Sequence, residues 1–516
     1  MSLRAERLIE ALRAEIAALG QQGGILTPAV YDTARVLLSS PPEDSRPVVE
    51  WLLGQQHEDG GWGPELRPVA RHVPTLAAVL ALLGASDSPE SRVAVDRGLQ
   101  FFRESAREWA FEGSLPDDIP VAVELILPQL LDEAAALGLE LPQQPFRALR
   151  ALGERRRGLI ARMKPRAGTA PVHAWESWGV QPDLDVLDAA KSVGNSPAAT
   201  ALWLRKRLAA FPGGSEETRG AEEYLRAAAE ATGTGIPGVL PTVWPIYRFE
   251  QPWALLALST TGLLSHPALE DAVRPHLDDL RQAMRPEGLG MSDAFIFDGD
   301  ITSTTIALLA GSGREVDGRT LERFQRDGLF ITYAHELQPS LTTTAHGALA
   351  LAVLGRDATQ SVRFLLEKRG ANGVWEGDKW HSSWLYATSQ VMIALERAGA
   401  QEAFRSSAQS LIALQREDGG WGAGVASTSS ETAYAVHALQ GLRRAEGPMG
   451  EAVRGSLRNA ALWMAAQAGT PPEAEMYWIG KELYGPTRVD RFFVLTARLA
   501  LELEREHLAA SGSHIS

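Results

Sequence analysis

QQHEDGGWG (55–63) and LQREDGGWG (414–422) are almost the same nine residues, set near opposite ends of a 516-residue chain. A degenerate third copy, EKRGANGVWEG (367–377), keeps the Gly and the Trp. Each copy follows an apolar helical stretch such as VVEWLLG (48–54). The physical reading is a helix end, a Gly-rich turn, and a Trp folded back over the helix terminus. Such stapling suits stacked helix pairs, each of which buries a face only against its neighbours. The first copy lies far from the other two, which favours two related helical domains over one continuous array. Helical signals also fill the chain between them. VPTLAAVLALLG (73–84), AVELILPQLLDEAAALGLEL (122–141) and TAHGALALAVLG (344–355) are rich in Ala and Leu, while strand-like alternation is scarce. The expected class is all-α.

Composition narrows the function. Hydrophobic residues make up 45% and charged residues 22%, the balance of a soluble globular protein. A net charge of −14 without a long basic run argues against nucleic acid as partner. It leaves room for a local basic pocket that binds a small anion. The chain has no cysteine, which removes disulfides, thiolate nucleophiles and thiolate–metal sites. The N-terminus alternates charge with apolar residues and lacks a signal-peptide core. No run of about 18 uninterrupted apolar residues is present, so stable membrane insertion is not expected. The expected address is the cytoplasm.

The QW-like repeats resemble those of terpene cyclases with (α/α) barrels, squalene–hopene cyclases and class II diterpene cyclases among them. The likeness extends, in order, through VYDTARV (30–36), IPVAVELILPQLLDEA (119–134), HAWESWGVQPDLDVL (173–187) with NSPAAT (195–200), PTVWPIYRFEQPW (241–253) and YWIGKELYG (477–485). It implies two α-barrel domains, γ over residues 23–235 and β over 236–516, with a helix in 1–22 packed on β. It also implies no third, diphosphate-ionising α domain. The chain agrees: Asp278 and Asp279 are followed by Leu280, Arg281 and Gln282, not by the acidic spacing of a metal-ionising site.

FDGDITSTT (297–305) is similar to the family's DxDD or DxDTT motif, whose middle Asp donates a proton to an alkene. That residue is Asp300, with Asp298 as the first Asp, Thr302 as a helper and Ile301 as a departure at the fourth position. A carboxylic acid of ordinary pKa is poorly matched to an unactivated alkene, so burial and a neighbouring carboxylate must keep it protonated. Read without the likeness, the same residues form an acidic turn capping a helix. Fourteen Trp, fourteen Phe and eight Tyr can line a cavity that stabilises a carbocation. Trp244, Trp253, Trp380, Trp384 and Tyr386 are candidate liners, each also readable as packing. His335, Thr344 and His346 lie in AHELQPSLTTTAHG (334–347), resembling a segment that can place the base ending the cascade.

The implied substrate is a linear prenyl diphosphate, geranylgeranyl favoured and farnesyl second. The implied product is a bicyclic diphosphate passed to a class I synthase or a phosphatase. Lys481, Lys379 and the basic cluster Arg157, Arg162 and Lys164 are candidates for the diphosphate. Mg²⁺ is the expected cofactor, with Glu112, Asp117 and Asp118 of FEGSLPDD (111–118) as ligands. A homodimer is among the expected assemblies. A squalene-type cyclase would show more repeats and a longer chain. A protein prenyltransferase subunit needs a zinc-ligating cysteine that is absent here. A non-catalytic helical scaffold is the remaining alternative, and it has no reason to keep Asp298 and Asp300 together.

Overall fold

The structure is a computed structural model that describes residues 2–111, 115–116, 118–336, 338–467 and 475–512, with side chains described to residue 507. The recurrent nonapeptide folds as a staple. The indole N–H of Trp62 donates to the Leu52 carbonyl at 2.7 Å, that of Trp375 to Leu365 at 2.6 Å, and that of Trp421 to Leu411 at 2.9 Å. Each carbonyl lies in the last turn of the preceding helix, Arg46–Gly54, Thr359–Glu367 or Gln401–Ala413, where intrahelical partners run out. Gln56 and Gln415 fasten the turn sideways, donating to Gly60 and Gly419 within it and to Ala94 and Ser456 on the next outer helix. Gly60, Gly373 and Gly419 sit at φ near +90°, +83° and +92°, the left-handed region that only glycine adopts readily.

A second clamp was not visible in the repeat itself. A threonine hydroxyl in the following inner helix bonds both the N–H and the C=O of the stapling residue. Thr75 does so at Trp62, Thr388 at Trp375 and Thr432 at Trp421. Thr302 at Leu289 and Thr344 at Phe330 repeat the device without a Trp.

These units build two rings. In the first, the helices Val30–Ser39, His72–Ala85, Val123–Ala136 and Pro197–Ala210 line the inside, together with the 3₁₀ segment Ala170–Ser177. Their outer partners include Arg46–Gly54, Pro89–Ser105, Arg147–Met163 and Glu216–Glu230. The segment Pro68–Ala85 is apolar enough by composition to cross a membrane, which the sequence reading missed. In the structure it is 72% buried as an inner element of this ring.

The second ring is closed by six inner helices: Tyr247–Thr260, Gly299–Gly311, Leu341–Val353, Trp384–Arg397, Ser429–Leu439 and Thr487–Gly512, the last lying against the first. The N-terminal helix Leu3–Ala18 packs between Glu270–Ala283 and Thr487–Gly512 as an outer member of this ring. It buries Ala5, Ile9, Leu12 and Ile16 along one stripe. The apolar cores of the first ring run to Leu240, and that of the second resumes at Val243. A short hairpin, Trp478–Ile479 paired with Leu483–Tyr484, reaches from the second ring to the first, where the Val121 N–H donates to the Gly480 carbonyl at 2.7 Å.

Candidate active site

The N-terminal turns of the second ring's inner helices gather at one end, and carboxylates collect there because backbone N–H groups need acceptors. Most are fully engaged. Asp378 accepts from the Ser340 and Thr342 hydroxyls and the Leu341 N–H. Glu431 accepts from Ser383, Thr428, Tyr477 and the Ala423 N–H. Glu475 accepts two N–H groups, from Ser429 and Ser430.

Asp298 is of the same kind. It is the N-cap of Gly299–Gly311, accepting from the N–H groups of Asp300 and Ile301 at 2.7 and 3.0 Å. The capping reading and the proximity to the acid therefore hold together. Burial, then the Asp300 charge, push the Asp298 carboxyl well above its ordinary range, against the pull of those N–H groups. Gly299 lets the turn pass close to its neighbour, since a Cβ there would stand 2.4 Å from the Ile331 carbonyl oxygen. Ile301 points into the apolar core, so the fourth motif position brings nothing polar to the site.

Asp300 is different. It is buried, and among the described residues its carboxyl has one hydrogen-bond partner, His346, whose Nδ1 lies 2.5 Å from Oδ1. The Nε2 of His346 meets the Gln390 side-chain oxygen at 3.0 Å. Burial pulls the imidazole towards neutrality, but the charge and hydrogen bond of Asp300 outweigh it and raise the histidine above its ordinary pKa. The short contact places His346 and Asp300 to pass a proton between them. With Nε2–H donated to Gln390, a neutral imidazole offers Nδ1 to a protonated Asp300, and an imidazolium instead donates to the carboxylate. Aromatic rings surround the pair. Trp253 stands edge-on to His346 at 5.6 Å, stacks on Phe249 at 4.5 Å and donates its indole N–H to the Tyr386 hydroxyl at 2.7 Å. Trp380 donates to Thr332 at 2.7 Å and meets Tyr333 edge-on at 5.7 Å. Trp384 opens its helix half-buried against the same core.

Several expected residues lie elsewhere. The Thr302 hydroxyl clamps Leu289 and does not reach Asp300, and Thr344 clamps Phe330 in the same way. His335 is exposed on its loop. Trp244 lines a surface groove beside Gly23, donating to the Gln22 carbonyl. Lys379 is engaged by Glu336 at 2.8 Å, and the Glu336 charge reaches Asp298, which sets this lysine at the acid's end of the barrel.

Lys481 is fully covered. It donates to Glu176 at 2.6 Å and to Ser196 at 2.5 Å, with Asp32 at 3.8 Å, so its charge is spent between the rings and not on an open phosphate site. Arg157 donates to the Leu125 carbonyl, whereas Arg162 and Lys164 are exposed at the end of the outer helix Arg147–Met163. Glu112 and Asp117 lie outside the described residues. Asp118 is ion-paired with Arg67. Among the described residues no group of three or more His, Asp or Glu is placed to hold a metal ion.

Sequence reasoning missed Gln390, Glu336 and Tyr333. The signal for Gln390 was periodicity: His346 follows Asp300 by 46 residues, and Gln390 follows His346 by 44, one inner helix each time.

Comparison with known proteins gives this site its context. The model of the squalene–hopene cyclase C-terminal domain matches residues 339–456, which include His346 and Gln390. The (+)-kolavenyl diphosphate synthase of Herpetosiphon aurantiacus is 42% identical, over 98% of this chain and 99% of its own length. A type B diterpene cyclase of Mycobacterium tuberculosis is 31% identical over 95% of this chain and 98% of its own. The ent-copalyl diphosphate synthase structure from Streptomyces platensis superposes with a TM-score of 0.78 at 29% identity, covering 97% of this chain and 99% of that one. Near-complete coverage by such relatives, with a buried aspartate at the motif position among aromatic rings, means that this chain belongs to the class II terpene cyclases.

Proposed function

We propose that the protein cyclises geranylgeranyl diphosphate to a bicyclic diphosphate, with Asp300 as the proton donor. The observation that carries the reading is the Asp300–His346 pair: a buried carboxyl in a helix's first turn whose one hydrogen-bond partner among the described residues is an imidazole. The proton on Asp300 forms a C–H bond at the terminal alkene, whose electron pair leaves a tertiary cation. The next alkene's π electrons close the first ring, and a further alkene closes the second. The aromatic rings of Trp253 and Tyr386 lie near the acid and favour positive charge there. Loss of a proton from the last cation completes an isomerisation with the C–O–P bond intact.

Relatives named for diterpene and for kolavenyl and copalyl diphosphate products support the C₂₀ substrate. Of the expected cations, Arg162 and Lys164 have no ion pair among the described residues and are the proposed contacts for the diphosphate. Product release would feed a class I synthase or a phosphatase.

The test is incubation with geranylgeranyl and, separately, farnesyl diphosphate, followed by dephosphorylation and gas chromatography–mass spectrometry. A bicyclic C₂₀ alcohol that disappears in Asp300→Asn is expected. A bicyclic C₁₅ alcohol alone would correct the chain length. Linear alcohols from both would overturn the reading.

A further inference from the structure

Asp490 stands in the first turn of Thr487–Gly512, at the same end of the barrel as Asp300. Its donors are few compared with those of Asp298, Asp378, Glu431 and Glu475. The Tyr434 hydroxyl approaches Oδ1 at 3.3 Å, and the nearby Trp478 indole N–H makes no hydrogen bond among the described residues. No backbone N–H is donated to the Asp490 side chain among the described residues. The side chain is only partly covered, which leaves part of the carboxyl open.

The rings near Asp490 are continuous with those near the acid. Trp478 meets Phe249, Tyr386 and Trp253 edge-on at 5.0, 5.0 and 6.1 Å, and Trp253 in turn meets His346. The Tyr386 hydroxyl feels the charges of both Asp300 and Asp490, and Tyr484 feels those of Asp298 and Asp490. Asp300 and Asp490 are therefore two sparsely donated carboxyls beside one aromatic cluster.

We infer that Asp490 is the proton acceptor that ends the cyclisation. This rests on the proposed function above. In the step, a C–H bond next to the final cation breaks, its electron pair becomes the new C=C bond, and the proton passes to the Asp490 carboxylate. Asp300 has lost one proton and Asp490 has gained one, and exchange with water between turnovers resets both. Burial and the nearby charge of Glu475 raise the proton affinity of Asp490, which brings a carboxylate closer to the working pH of a general base. The Tyr434 O–H holds the ionised form in place without saturating it.

The test compares wild type with Asp490→Asn on geranylgeranyl diphosphate, reading kcat, KM and the product distribution, with thermal melting as the check on folding. The expected result is a kcat lower by about 10²-fold, a KM near wild type, and isomeric alkenes or water-captured alcohols in place of a single product. Asp490→Glu is expected to restore part of the original product. A folded Asp490→Asn with wild-type kcat and products would overturn the inference. Should Asp490→Asn fail to fold, Tyr434→Phe serves instead, because it keeps the carboxyl and removes its hydroxyl donor. A shifted product ratio supports the assignment, and an unchanged ratio and rate overturn it. Absence of any cyclised product from the wild-type enzyme would count against the proposed function itself, and is read separately.

Discussion

Asp32 and Asp300 occupy matching places: each lies in the first turn of an inner helix, each is buried, and each faces a single cationic side chain. The partner makes the difference. Asp32 shares Lys481 with Glu176, accepts the Ala198 N–H at 3.0 Å, and sits beside Glu482, which caps Val30 and Tyr31. Burial pushes Asp32 up to about 7 and Glu482 up to about 8, against the pull of the lysine and of the N–H groups, respectively. That cluster ties the two rings together through the buried Lys481 ammonium. Asp300 faces an imidazole that can give its charge up. Burial alone does not make a carboxyl a proton donor; a partner able to exchange the proton does.

The comparison breaks first at Asp300. Asp300→Asn is expected to lower turnover by about 10⁴-fold, the upper range for loss of a general acid, with the melting temperature close to wild type. If product still forms at a comparable rate, the proton comes from elsewhere. Lys481→Met tests the other pair. Removing one partner of a buried ion pair costs about 3–5 kcal/mol, measurable by denaturant unfolding, and most of that loss should return when Glu176→Gln is added. A single variant as stable as wild type would show that the cluster does not hold the rings.

A smaller effect separates the two cations. His346→Phe should cost about 10²-fold in kcat with little change in KM. The pH profile carries the sign. His346 is raised above its ordinary value of 6.5, so its contribution to stability and to a charged partner for Asp300 is complete below that value. Both fade as pH rises through the folded pKa. Wild-type turnover should therefore fall on the alkaline side, and this limb should be missing in His346→Phe. Smallest is Thr302→Val, which removes one hydroxyl from the Leu289 clamp. It should lower stability by about 1 kcal/mol while turnover per folded molecule stays the same. A large loss of turnover would return Thr302 to the acid's neighbourhood.

The repeats and the acid motif were legible because their chemistry is local. A Trp after a Gly pair needs a carbonyl to staple, and DGD before an apolar run needs a helix to cap. The clamp threonines were also legible in principle, since Thr388 and Thr432 stand 13 and 11 residues after their tryptophans. Thr302 was misassigned because its two neighbours, an acid and a clamp, use the same helix start. The lysines misled for a different reason. Lys481 and Lys379 each sit where a phosphate contact was expected, but their carboxylate partners, Glu176 and Glu336, come from segments 305 and 43 residues away. Which buried charges meet is decided by how the rings pack, and no spacing in the chain encodes it.

The threonine clamp has an evolutionary reading as well. It holds a turn to the next helix through that turn's backbone atoms, so the side chain at the clamped position is free to change. At the two repeats that present Asp300 and His346, that position is Leu289 and Phe330; at the three stapled repeats it is Trp. Each repeat thus behaves as a cassette whose register is inherited independently of its contents. New chemistry could be written into one turn of such a barrel while the others kept the architecture.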